Sequence, residues 1–323
     1  MILAADIGAT NTRLGLFSQN GGSPELVSCR RFLNRDYPTI DAVLDEFSAP
    51  SEQISAVSLG VAGLVEHGRA HITNLGWDIN SALLSARFAR AKISLLNDVE
   101  ATAYGIAALQ SGDLMVLNPG EPVAGAPKAL IASGTGLGEA IIYTRGVVEF
   151  VAASEAGHAD FAPADDVQVR LLNYLWRRFT PVSWDRVLSG PGLGFIYEFF
   201  RDQDPAKELP QLAARLRTED AGAVISAAAL TGECELSVAA LELFVSIYGA
   251  EAGNHALRSL ARGGVYLGGG IAPKIASKLA QGTFMNSFCH KDRMGDFLAG
   301  IAVYVIMNEN TALLGAARYL STR

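Results

Sequence analysis

Five short stretches of this 323-residue chain combine residue types that can do chemistry. Two are turns built from Gly and Thr: Asp6-Ile7-Gly8-Ala9-Thr10-Asn11 and Ser133-Gly134-Thr135-Gly136-Leu137-Gly138. Such a turn exposes backbone N–H groups and hydroxyls without bulky side chains, so phosphate oxygens can come close. Either one alone also reads as an ordinary tight turn. Two matched turns in separate halves, one carrying the carboxylate of Asp6, point to phosphate. Asn97-Asp98 ends a hydrophobic run and starts a helical one. Asp there can cap the helix. The carboxyl end of a strand is also where an α/β fold places a group that orients and deprotonates an acceptor hydroxyl. Ser154-Glu155-Ala156-Gly157-His158-Ala159-Asp160-Phe161 reads as a polar loop, or as acceptors and an imidazole suited to a ring bearing several hydroxyls. Asp185-Arg186, ahead of Ser189-Gly190-Pro191-Gly192, reads in isolation as a helix end and a turn.

Two familiar nucleotide motifs can be tested directly. A dinucleotide fingerprint needs its glycines between a strand and a helix. Gly134 to Gly138 lead instead into Ile141-Ile142-Tyr143, a strand pattern, and the P-loop pattern G-x-x-x-x-G-K-[ST] does not occur. A nucleotide, if bound, is held some other way.

The elements that must position these groups follow from periodicity. Ile2 to Gly8 reads as a buried strand, Ala9 to Thr12 as a polar turn, and Arg13 to Phe17 as a second strand. Further strands are expected at Ile54–Val61, ending in Ala62-Gly63, and at Lys92–Leu96, followed by a helix from Asn97-Asp98 through Leu109. The pattern then restarts, with strands at Leu114–Leu117, Ala129–Ala132 and Glu139–Tyr143 around the second turn. Val167 to Leu260 is mainly helical in pattern, Gly264–Leu267 is a strand leading into Gly268-Gly269-Gly270, and Ala302–Tyr319 looks helical. One strand–turn–strand unit in each half predicts two α/β domains with a cleft between them, dividing near residue 110.

Composition removes several classes. Half the residues are hydrophobic and 18% are charged, enough apolar matter for a sizeable core. The net charge of −7 comes with no basic patch, so a nucleic-acid partner is not expected. No run of about 18 or more consecutive apolar residues marks a membrane span. The N-terminal Met1 to Asp6 lacks the basic n-region of a signal peptide. Cys29, Cys234 and Cys289 are odd in number and far apart, against a disulfide framework or a zinc cluster. All three read as buried small hydrophobes, and the expected compartment is a reducing cytoplasm.

Taken together and in order, these segments resemble the bacterial ATP-dependent glucokinase family, a branch of the sugar kinase/Hsp70/actin superfamily. Asp6-Ile7-Gly8-Ala9-Thr10-Asn11 resembles its first phosphate loop, and Leu96-Asn97-Asp98-Val99-Glu100-Ala101 its catalytic segment. Gly134-Thr135-Gly136-Leu137-Gly138 resembles the second phosphate loop, Ser154 to His158 the sugar loop, and Gly268-Gly269-Gly270-Ile271 the adenosine segment. The resemblance covers nearly the whole chain. It implies a two-domain actin-like fold with the ribonuclease H-like motif repeated, and phosphoryl transfer from ATP to the 6-hydroxyl of D-glucose, feeding glycolysis.

The resemblance also implies roles. Asp98 would be the general base. Asn97, Asp98, Glu155, His158 and Asp185 would bind the sugar. Asp6, Gly8, Ala9, Thr10, Asn11, Gly134, Thr135, Gly136, Gly268, Gly269 and Gly270 would line ATP, and Asp6 would reach Mg²⁺ through water. A small domain of residues 1–110 plus 300–323 and a large one of 111–299 are implied, closing on sugar to exclude water. A homodimer is also implied. The related ROK branch usually carries a Cys-rich zinc motif after the sugar-loop histidine, and here no cysteine lies between Cys29 and Cys234. One position departs from the pattern. The family commonly has Glu where this chain has Asp185, so contact with the sugar is expected through a bridging water.

Overall fold

The apolar run Ile2-Leu3-Ala4-Ala5 is buried on both faces, as a central strand demands, and it lies at the middle of the first of two main sheets. The computed structural model describes residues 1–19, 24–48, 53–72, 75–146 and 148–321. The chain divides into two compact units: Met1–Leu114 with Arg145–Ala153 and Asn308–Arg323, and Met115–Thr144 with Ser154–Met307.

In the first unit, β1 (Ile2–Ile7), β2 (Asn11–Ser18) and β3 (Glu25–Leu33) form an antiparallel meander. β4 (Ala56–Val61) pairs parallel to β1 on its other side. A three-stranded antiparallel sheet of β5 (Val65–Glu66), β6 (Arg69–Ile72) and β7 (Trp77–Asn80) follows in the chain. β8 (Lys92–Asn97) then completes the main sheet, in the order β3-β2-β1-β4-β8. Helices α1 (Ile40–Phe47) and α2 (Ser81–Arg87) are capped by the side chains of Thr39 and Asn80. Helix α3 (Asp98–Gly105) continues directly from β8.

The second main sheet has the order β12-β11-β10-β13-β14-β9. Its strands are β9 (Leu114–Asn118), β10 (Lys128–Ser133), β11 (Leu137–Arg145), β12 (Val148–Ser154), β13 (Val265–Gly268) and β14 (Val303–Ile306). β10 is antiparallel to β11 and parallel to β13, which is parallel to β14. The hairpin-plus-parallel-strands order of the first sheet therefore recurs, with β9 added at the edge. The helices of this half are α4 (Asp166–Leu175), α5 (Gly190–Gln203), α6 (Pro210–Leu216), α7 (Ala221–Thr231), α8 (Glu235–Ser259), α9 (Ala276–Leu279), α10 (Thr283–Cys289) and α11 (Gly295–Ala299). α8 is long and apolar enough to cross a membrane by length and composition, but its most apolar stretch is mostly buried against the rest of the protein, as befits a core helix. The last helix of the described residues, α12 (Thr311–Ser321), packs on α3 in the first unit.

Three sequence expectations need correction. The stretch from Ala302 is not helical throughout: β-branched Val303, Val305 and Ile306 form β14, and the helix starts only at Thr311. Strands β3 and β12 were not expected, because both are largely exposed and so carry no apolar alternation. Cys29 is exposed on β3 rather than buried, while Cys234 is buried and Cys289 partly so.

Candidate active site

In the first unit the turn between β1 and β2 closes with the Gly8 N–H donating to Asn11 O at 3.0 Å. A residue from outside the motif holds it in place. Asn34, 1% exposed, donates from Nδ2 to Gly8 O at 2.8 Å and accepts at Oδ1 from Thr12 Oγ1 at 2.7 Å. Its N–H donates to Thr10 O at 3.0 Å. Three bonds from one buried side chain and its peptide thus fix the turn from both ends. Asp6 sits at the end of β1, opposite Arg13 in the strand register, with 3.6 Å between carboxylate and guanidinium. Burial pushes the Asp6 carboxyl above the usual range, and the Arg13 cation opposes the shift. Arg13 also holds the carboxylate of Glu309.

Asp98 is the first residue of α3, placed where β8 ends. Asn97 is the N-cap: its Oδ1 accepts from Val99 N–H at 2.9 Å, and its Nδ2 donates to Gly63 O at 3.0 Å. Oδ1 of Asp98 also accepts from Val99 N–H, at 2.9 Å. The first free N–H of α3 is thus shared between the side chains of Asn97, the N-cap, and Asp98. Close packing keeps α3 in place. A Cβ on Gly105 would lie 2.0 Å from Thr311 O, and one on Gly315 only 1.7 Å from Ala101 O, so α3 and α12 meet backbone to backbone.

In the second unit the turn from Ser133 to Leu137 is a hub. The Gly134 N–H donates to Gly136 O at 2.8 Å, and the Gly190 N–H donates to Gly134 O at 2.8 Å. Ser133 Oγ donates to Leu188 O at 2.7 Å. The Ile271 N–H donates to Ser133 O at 3.1 Å, and a Cβ on Gly269 (φ +81°) would lie 2.2 Å from the same oxygen. The glycine run after β13 is therefore pressed onto the turn, which brings Gly134, Thr135 and Gly136 together with Gly268, Gly269 and Gly270. The loop after β12 joins the same hub, since Gly157 leaves only 2.1 Å for a Cβ before Leu137 O. Glu155 and His158 are exposed on that loop, with His158 Nε2 3.7 Å from Glu155 Oε2. Asp185 faces the turn itself: its Oδ1 accepts from Leu137 N–H at 2.8 Å.

These features match a known family. The glucokinase family model matches residues 3–323. The chain belongs to the glucokinase family. A glucokinase of Nostoc sp. is 38% identical over 335 residues, covering 98% of each chain. The crystal structure of a glucokinase from an Antarctic psychrotroph superposes with a TM-score of 0.86 at 31% identity, covering 100% of this chain and 99% of the other. The glucokinase from Balamuthia mandrillaris, solved with glucose, has a TM-score of 0.80 at 22% identity over 100% of this chain and 93% of that one, a likeness of fold.

Within this glucokinase-family chain, sequence reasoning overlooked three supports of the site. Asn34, Arg13 and the Asp185–Leu137 contact all join residues far apart in sequence, and only the Arg13 charge next to the first turn offered a local signal. A further buried group flanks the second turn. Glu139 on β11 is fully buried, 3.3 Å from His255 Nδ1 of α8, with Glu251 and Arg258 of α8 nearby. Burial, then the neighbouring Glu251 charge, pushes the Glu139 carboxyl up to about 8. Burial lowers the His255 imidazole. A cavity of about 650 Å³ lined by Leu117, Asn118, Met285, Asn286, Cys289 and His290, among others, includes none of the sequence-predicted site residues.

Proposed function

We propose that this chain is a glucokinase, transferring the γ-phosphoryl group of ATP to the 6-hydroxyl of D-glucose to give glucose 6-phosphate and ADP. The observation that carries the reading is the family match across residues 3–323, in a chain that keeps a carboxylate, Asp98, at the head of α3. Asp98 accepts the proton of the 6-hydroxyl as that oxygen attacks the γ-phosphorus. The new O–P bond forms as the bond to the β,γ-bridging oxygen breaks, and ADP leaves with the electron pair. Asn97, Glu155 and His158 hold the ring hydroxyls. Each can still do so: Glu155 and His158 are exposed, and the Asn97 amide retains one N–H and one lone pair beyond the bonds it already makes. Asp185 is the remaining sugar-binding candidate, through water.

Gly8, Ala9, Thr10 and Asn11 on one turn, with Gly134, Thr135 and Gly136 on the other, receive the phosphates through backbone N–H groups and hydroxyls. Gly268, Gly269 and Gly270 flank the nucleoside. Among the described residues no group of three or more His, Cys, Asp or Glu side chains forms a metal cage. Mg²⁺ does not need one, because it keeps several waters and is bound by one or two carboxylates plus substrate phosphates. Asp6 fits that donor set, as a single hard oxygen ligand beside the first turn. The ion, when bound with ATP, neutralises charge building on the phosphate oxygens. A cytoplasmic, homodimeric enzyme supplying glycolysis completes the reading. A coupled phosphorylation assay across glucose, mannose, fructose and N-acetylglucosamine tests it. Glucose is expected to give the highest kcat/KM, and a stronger preference for any other hexose would overturn the substrate assignment.

A further inference from the structure

Asp185 sits where two parts of the second unit are sewn together. It belongs to a single helical turn, Trp184–Arg186, whose Trp184 is buried edge-on against Phe161 with ring centroids 5.2 Å apart. That turn is tied to the end of the polar loop: the Trp184 N–H donates to Ala159 O at 3.0 Å, and the Phe161 N–H donates to Val182 O at 2.9 Å. From this anchored position the carboxylate reaches the glycine turn. Oδ1 accepts from Leu137 N–H at 2.8 Å, and it lies so close that a Cβ on Gly136 would be 2.8 Å away. The other side of Leu137 is held as well, because its carbonyl abuts Gly157. The Leu137 residue is thus gripped at its N–H by Asp185 and at its C=O by the loop that carries Glu155 and His158.

We propose that Asp185 is a positioning residue for the second phosphate turn, setting the shape of Thr135-Gly136-Leu137 and linking that turn to the sugar loop. The inference rests on the reading of this turn as an ATP-phosphate site. Side-chain length is the central point. An Asp carboxylate spans the gap to Leu137 N–H, and Gly136 leaves room for its oxygen. A Glu carboxylate, one methylene longer, must fold back or leave the N–H, so the turn loses its anchor. An Asn side chain keeps the length and an accepting Oδ1.

Steady-state KM values for ATP and glucose, measured on D185A, D185N and D185E, test the proposal. Removing a carboxylate acceptor from a backbone donor is expected to raise the ATP KM of D185A by about tenfold or more. Its glucose KM should change by less than about threefold. D185N should recover most of the ATP KM, whereas D185E should not. A rise confined to the glucose KM in D185A and D185N alike would overturn the proposal and leave Asp185 with its sugar contact alone. T135V separates the underlying reading from the inference. If T135V raises the ATP KM and D185A does not, the turn binds phosphate without help from Asp185. If neither raises it, the phosphate reading of the turn fails. Should D185A fold poorly, hydrogen exchange at Leu137 N–H still decides: slow exchange in the parent and D185N with fast exchange in D185E is expected, and equal rates in all three would sink the idea.

Discussion

The two halves of the molecule contain the same hairpin, held by different means. β1 and β2 enclose the first turn and β10 and β11 the second, each with a parallel strand, β4 or β13, beside the first arm. The first turn hangs on one buried side chain, Asn34, brought in from the end of β3. The second is wedged among backbones, with Gly157 and Gly269 pressed against it and Asp185 on its last N–H. The charged residue at the third position of the second arm differs too. Arg13 on β2 is partly exposed and pairs with Asp6 and Glu309, whereas Glu139 on β11 is sealed against α8. The strands at the matching outer places also end differently. β8 ends at Asn97 and delivers Asp98, while β14 runs out through Met307 to Asn308. One topology thus carries two kinds of turn, and only the first sheet places a carboxylate at the end of that strand. The contrast predicts that the first turn is vulnerable to deleting a side chain and the second to adding one.

The largest effect should come from that single carboxylate. Asp98→Asn preserves shape but cannot accept a proton, so kcat should fall by about 10²–10⁴-fold with the glucose KM nearly unchanged. A coupled assay at saturating ATP measures it, and near-parental kcat would return Asp98 to a purely structural role.

Adding a methyl group separates the two turns directly. Gly157→Ala places a Cβ 2.1 Å from a backbone oxygen that cannot swing away. It is expected to cost about 1–3 kcal/mol of stability, as overpacking does, and to raise the glucose KM. Gly8→Ala meets only Asn11 O, at an ordinary 3.4 Å, and should leave thermal stability within about 0.5 kcal/mol. Equal losses in thermal melts of the two variants would erase the distinction.

The converse substitution is Asn34→Ala. It leaves Gly8 O and the Thr12 hydroxyl without their partner inside the protein, a loss of about 1–3 kcal/mol. Denaturant unfolding gives the number, and a neutral result would mean that the first turn holds its own shape.

The effect that depends on pH concerns Glu139. Its carboxyl titrates at about 8 in the folded chain against an ordinary 4.5, so between those values the folded state keeps a proton that the unfolded state has released. The stability linked to this group is therefore fully present below about pH 4.5 and is lost as pH rises towards 8. His255, lowered by burial, contributes the opposite slope, with its stability present above its ordinary value of 6.5 and lost as pH falls. Comparing Glu139→Gln with the parent isolates the Glu139 share: the parent's advantage should shrink from pH 5 to 8. A pH-independent difference would contradict the assignment.

Much of this protein is determined by local sequence. The buried strands Ile2–Ile7, Ala56–Val61 and Lys128–Ser133 are rich in apolar residues, and Gly and Thr mark the turns beside the first and third. The order of the motifs was enough to indicate the family, and Asn97-Asp98 declared a strand end and a helix start. Edge strands β3 and β12 were silent because exposure removes the alternation that would announce them. Strand β14 was absorbed into the helical pattern that follows it, although its β-branched Val303 and Val305 pair with Val265 and Leu267 of β13, far earlier in the chain. Tertiary structure alone decided what each motif rests on. Asn34 reaches Gly8 across 26 residues and Asp185 reaches Leu137 across 48, and hydrogen bonds at such separations leave no periodic trace. The glycines show the same limit. Gly157 and Gly315 look no different in sequence from Gly8, and only the backbone lying about 2 Å from where a Cβ would stand makes them irreplaceable.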